Sequence, residues 1–130
     1  MEIIHEELSG EIIGAAMAVL NELKPGLDEK LYENALVLEL EARGHKVRQQ
    51  KRFPVSYRGR RIGVLIPDLI IDELVLVDTK VVTAFAPVHT AQMTGCLAIT
   101  QLQLGMLLNF QDSTLQWKRV VRQPGRLHPQ

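Results

Sequence analysis

The segment Val64-Leu65-Ile66-Pro67-Asp68-Leu69-Ile70-Ile71 is followed, after Asp72-Glu73, by Leu74-Val75-Leu76-Val77-Asp78-Thr79-Lys80-Val81-Val82. Both runs are apolar at successive positions rather than alternate ones, as strands covered on both faces are. A sheet buried on both sides needs a layer above and a layer below, so this hairpin restricts the chain to an α/β sandwich. It also carries the costliest charges in the sequence: a lone carboxylate or ammonium in such a strand must be paired or bound to metal. Asp78 and Lys80 alternate with Thr79 and therefore share a face.

Two acids and one ammonium on a sheet suit metal-assisted phosphodiester hydrolysis. Carboxylates hold a hard cation, which polarises phosphate and lowers the pKa of an attacking water, while a lysine steadies that water or the developing charge. The competing reading is a buried Asp–Lys pair with a structural role only. Strand parity discriminates. A two-residue turn at Asp72-Glu73 would pair Asp68 with Val77 and send Asp68 and Asp78 to opposite faces. Convergence requires an odd loop, such as Asp72 to Leu74, or a bulge, and one of these is expected.

The remaining pattern supplies the layers. Ile12, Ala15, Ala16, Val19, Leu20 and Leu23 recur at helical spacing and predict an amphipathic helix over residues 3–23, ended by Lys24-Pro25-Gly26. A second helix is predicted from Leu27 to Arg43, with Gly44 as its stop. Leu31, Ala35, Leu38 and Ala42 form one apolar stripe on it, and Leu36, Val37 and Leu40 another, so packing on both sides is expected. Glu29 and Glu33 are aligned with the second stripe. Lys46 to Tyr57 predicts one or two strands interrupted near Pro54, and Arg58-Gly59-Arg60 a turn. The two strands of the charged hairpin are Ile62–Ile71 and Leu74–Val82. Pro87 opens a third helix over Val88–Gln101, followed by strands at Gln103–Phe110 and Trp117–Val121. The predicted order is ααβββαββ around a mixed sheet, with one domain over residues 1–122 and a loose tail over 123–130.

A chain of 130 residues, 46% apolar and 23% charged, fits one soluble domain. No apolar run reaches the ~18 residues of a membrane span, and the acidic start from Met1 to Glu7 lacks a signal's basic end. With a single cysteine, Cys96, a cytoplasmic setting and no membrane partner are expected. The net charge is zero but unevenly placed: residues 1–42 hold ten of the fifteen acids. Residues 43–61 hold Arg43, Lys46, Arg48, Lys51, Arg52, Arg58, Arg60 and Arg61 and no acid. Such a segment either attracts phosphate or pairs with the acidic helices. Arg48, Lys51, Arg52, Arg58, Arg60 and Arg61 are the candidate nucleic-acid contacts.

The stretch Gly26-Leu27-Asp28-Glu29-Lys30-Leu31-Tyr32-Glu33-Asn34-Ala35-Leu36 resembles the signature of the GxxExxR family, part of the PD-(D/E)XK nuclease-like superfamily. The resemblance runs over residues 6 to 121. It includes Ile13-Gly14-Ala15-Ala16, Pro67-Asp68-Leu69, Asp78-Thr79-Lys80, Val88-His89-Thr90-Ala91-Gln92 and Leu107-Leu108-Asn109-Phe110. It implies a restriction-endonuclease-like fold and a Mg²⁺ (or Mn²⁺) site. Asp68 and Asp78 would bind the metal, Lys80 would serve the water, Glu33 would complete the ligand set, and Gln92 would reach the same cleft. DNA is the favoured substrate over RNA. A homodimer is expected, because small members of the superfamily cover little DNA alone. The alternative is a binding or interaction module that keeps the fold without catalysis.

The sequence departs from the family pattern at several points. Asp78 and Thr79 stand where glutamate and an apolar residue are usual. Cys96 replaces a tyrosine, Leu20 a histidine and Lys24 a glycine. No Ser/His/Asp arrangement and no Gly-rich phosphate loop is present. The six aromatic residues, Tyr32, Phe53, Tyr57, Phe85, Phe110 and Trp117, are too few for a stacking platform along a single strand. His89 fits a loop cap after Pro87 better than a phosphate contact, and Cys96 fits a small core hydrophobe.

Overall fold

A computed structural model describes residues 3–123 of the chain; the tail predicted at 123–130 therefore lies, beyond Gln123, outside the described residues. Two helices, α1 (Glu6–Leu23) and α2 (Glu29–Ala42), come first. Five strands follow: β1 (Val47–Gln49), β2 (Phe53–Tyr57), β3 (Arg60–Leu65), β4 (Leu69–Ile71) and β5 (Val75–Lys80). Helix α3 (Pro87–Thr100) and strands β6 (Leu104–Asn109) and β7 (Gln116–Val121) complete the fold.

The main sheet has the order β1-β4-β5-β6-β7, parallel only between β5 and β6, and β2–β3 form a separate two-stranded sheet. This is the expected mixed sheet flanked by helices. The strand count differs from the sequence expectation. The run Ile62–Ile71 is two strands, because Pro67 offers no N–H to a ladder and Ile66-Pro67-Asp68 breaks the chain out of β3. Lys46–Tyr57 is two strands, within expectation, but they part at Gln50, whose φ is 60°, and not near Pro54, which pairs with Val64 inside β2.

Sheet alternation divides the core. Leu69, Ile71, Val75, Val77, Leu104, Met106 and Leu108 face α1 and α2 and pack on Ile12, Ala16, Tyr32, Leu36 and Leu40. Ile70, Leu76, Leu107 and Val120 face the other way and pack on Met93 and Leu97 of α3. Helix α2 buries only one stripe: Tyr32, Glu33, Leu36 and Leu40 are buried, whereas Leu31 and Leu38 are exposed. The expectation of packing on both sides fails at Leu31 and Leu38, although Ala35 of that stripe packs partly against the core. Tyr32 anchors the helix start. Its ring stacks on Phe110 at 4.8 Å, and its hydroxyl donates to the Lys24 carbonyl at 2.6 Å.

Candidate active site

The β4–β5 connection decides whether the charges meet. Ile71 pairs with Val75, so the loop is the odd one, Asp72-Glu73-Leu74, with Asp72 and Glu73 at φ 52° and 61°. One step along the ladder from Leu69↔Val77, Asp68 stands opposite Asp78. The Thr79 N–H donates to Asp68 Oδ2 at 3.3 Å. Lys80 Nζ lies 3.1 Å from Asp78 Oδ2. All three side chains are half-buried on the α3 side of the sheet.

Burial, the hydrogen bond and charge of Asp78, and the charge of Glu33 push the Asp68 carboxyl up to about 8. Near neutrality Asp68 therefore keeps its proton. A structural Asp78–Lys80 pair alone would need no second carboxylate. The site opens into a cavity of about 450 Å³ whose polar lining includes Asp68, Asp78, Gln92 and Cys96. Its walls include Val55, Leu65, Ile66 and Ile99. Cys96 thus packs beside the second core, as a small hydrophobe does, and also borders the site, where burial raises its thiol.

Glu33 is buried, as its helical phase implied, but its carboxylate is engaged. It accepts from Lys30 Nζ at 3.0 Å, Gln49 Nε2 at 2.6 Å and Gln50 Nε2 at 3.3 Å. Among the described residues, no three His, Cys, Asp or Glu side chains form a ready metal cage. Sequence reasoning passed over Gln49 and Gln50, and it aligned Glu29 with Glu33 without giving it a role. Burial raises the Glu29 carboxyl, Lys80 opposes this and Asp78 adds to it, so Glu29 lies in the field of the site. Its spacing of four from Glu33 was the available signal. His89 caps the loop: its Nδ1 accepts from the Ala86 N–H at 3.0 Å. Buried Asn109 pins the chain after β5 by donating to the Val82 carbonyl at 2.8 Å.

The basic segment does not pair with the acidic helices as a unit. Arg43 meets Glu39, and Arg48 meets Glu73 of the β4–β5 loop. Lys51 lies over the Phe53 ring at 5.2 Å. Among the described residues, Arg52, Arg58, Arg60 and Arg61 are exposed and make no ion pair. No described helix is long and apolar enough to cross a membrane.

Comparison with known proteins adds kinship to this geometry. The sequence profile of the PD-(D/E)XK nuclease superfamily matches residues 6–120. A solved alkaline exonuclease from Laribacter hongkongensis aligns with a TM-score of 0.49 at 15% identity, over 88% of this chain and 82% of that one. No curated protein matches the sequence significantly.

Proposed function

The chain belongs to the PD-(D/E)XK nuclease superfamily, and on that premise we propose that it is a Mg²⁺-dependent nuclease acting on DNA. The observation that carries this reading is the facing pair Asp68–Asp78, which lines one cavity, with Lys80 beside Asp78. The donor set fits a hard divalent cation: two facing carboxyls supply oxygen ligands, and a cation bound between them would offset the burial and like charge that raise Asp68. Asp68 and Asp78 are the proposed ligands, with Mn²⁺ as the substitute ion and Glu33 as a third ligand once released from Gln49 and Gln50. The bound ion supplies polarisation of the scissile phosphate and a water of lowered pKa.

The chain's own groups do the rest. Lys80 can donate from Nζ to the attacking water or a phosphate oxygen while Asp78 holds it in place. Gln92, on the exposed face of α3 at the cavity, orients a substrate polar group. Leu65, Ile66 and Ile99 exclude water and so strengthen each charge interaction. Arg52, Arg58, Arg60 and Arg61 supply backbone contacts. Dimerisation through a second copy extends the covered DNA, and the lone thiol Cys96 suits a reducing, cytoplasmic setting. The narrower resemblance to the GxxExxR family rests on Gly26 and Glu29 at the signature spacing, while Tyr32 stands where that signature has arginine.

The hydrogen bonds that occupy Glu33 favour a second reading, a nucleic-acid-binding module without turnover. Calorimetric titration with Mg²⁺ and Mn²⁺ separates the two. The nuclease reading expects binding to wild type that Asp68→Ala abolishes, accompanied by cleavage of plasmid DNA. Absence of Asp68-dependent binding, with or without oligonucleotide, overturns it.

A further inference from the structure

The β2–β3 hairpin is set apart from the main sheet, and its base and tip have different characters. At the base, Phe53 packs into the α3-side core, and Val55 and Leu65 line the site's cavity. At the tip, Arg58 and Gly59 both have positive φ, 51° and 77°, and close a two-residue turn between the paired residues Tyr57 and Arg60. Such a turn keeps the strands twisted together out to their ends, so the tip is a rigid projection. Alternation carries the cavity face of Val55 on to Tyr57, and Arg60 lies directly across from it.

Tyr57 is 65% exposed, with Arg58 next to it in the turn and Arg60 across from it, and neither arginine makes an ion pair among the described residues. The register shift between Val55 and Ser56 leaves Ile62 bulged out and 66% exposed, widening the apolar part of the tip. A ring face bordered by guanidiniums matches one chemistry: a base with its flanking phosphates. Stacking needs a base out of its duplex, and a single ring accommodates one.

We infer that the β2–β3 hairpin is a substrate arm: Tyr57 stacks on one unpaired nucleotide while Arg58 and Arg60 hold its phosphates, directing the strand along the Val55 face to Asp68 and Asp78. The preferred substrate is DNA with an unpaired segment next to duplex, such as an overhang or flap, rather than continuous duplex. This inference rests on the nuclease-like reading and names its substrate class.

The test is fluorescence anisotropy on the full chain, with Ca²⁺ in place of Mg²⁺, using one labelled duplex made blunt or with a single-stranded overhang. Wild type binds the overhang form more tightly. Tyr57→Ala weakens that binding by about tenfold and leaves the blunt form unchanged, and Tyr57→Trp restores it. Arg60→Ala weakens both forms and lowers the salt slope by about 0.7–0.9 log units per log salt. Thermal melts of each variant should match wild type, since both side chains are exposed. Equal wild-type affinity for the two DNAs, or a Tyr57→Ala effect that is absent or shared by both, overturns the inference while the nuclease reading stands. Failure of wild type to bind either DNA overturns both.

Discussion

The β4–β5 hairpin carries a carboxylate cluster at each end, and the two are built in opposite ways. At the closed end, Asp72 Oδ2 lies 2.7 Å from His45 Nδ1, and Glu11 Oε1 lies 2.9 Å from His45 Nε2. The Asp72 carboxylate also accepts from the Lys46 N–H at 2.8 Å. Burial pushes Asp72 up, but its hydrogen bonds from His45 and Lys46 outweigh this and hold it below the ordinary range. At the open end Asp68 faces another acid and is pushed up to about 8. One end is satisfied by the fold. The other leaves two carboxyls face to face, with Lys80 beside Asp78, and a strand a few residues long connects them.

Asp68→Asn tests the contrast most severely. Asp68 binds its proton more tightly folded than unfolded, so its ionisation costs stability as pH rises from 3.8 towards 8. That cost is on the order of a few kcal/mol above pH 8. The variant should therefore gain stability in metal-free buffer at pH 8 and little at pH 5. Mg²⁺ should raise the melting temperature of wild type more at pH 8 than at pH 5.5, and not that of Asp68→Asn. Metal affinity should fall by more than about 100-fold, the upper end of losses from removing groups that merely support a metal. Melts with and without Mg²⁺ at the two pH values check all three.

His45→Ala should do the reverse at the closed end. The hydrogen bond to Asp72 is the largest influence raising His45, so its contribution is full below 6.5 and is lost as pH rises through the raised folded value. Asp72, depressed, contributes above 3.8 and loses that contribution as pH falls through its folded value. The lock is therefore strongest between those limits. Removing it should cost about 1–2 kcal/mol near pH 6 and less at pH 9. Urea titrations at both pH values provide the measurement, and metal affinity should not change.

How much of this contrast could be read from the sequence follows from the range of the forces involved. The layer order and the sharing of one face by Asp78 and Lys80 are local periodicities, readable from the residues alone. The odd loop Asp72-Glu73-Leu74 could be posed only as a condition, because parity allows either register. The partition of Ile62–Ile71 was not legible: Val64 to Ile66 run on into the apolar residues of β4, and only pairing with β2 puts β3 in another sheet. Nor was the engagement of Glu33. Its inward phase is helical geometry, but Gln49 and Gln50 reach it from β1 and the following turn, through a contact between helix and strand.

Thr79 lies between the two acids' neighbours and shows the smallest effect. It is fully buried, on the face of β5 opposite Asp78 and Lys80, and its hydroxyl is without a hydrogen-bond partner in the described fold. Its backbone N–H, not its side chain, serves the site through Asp68. The hydroxyl therefore costs desolvation energy and contributes nothing to the contrast between the two ends. Thr79→Val keeps the β-branched shape and the N–H while removing the unsatisfied oxygen, so stability should rise by about 1 kcal/mol. Metal affinity and its pH dependence should stay as in wild type. Should the substitution instead weaken Mg²⁺ binding, the hydroxyl belongs to the open end after all, and the site extends through the sheet towards α2.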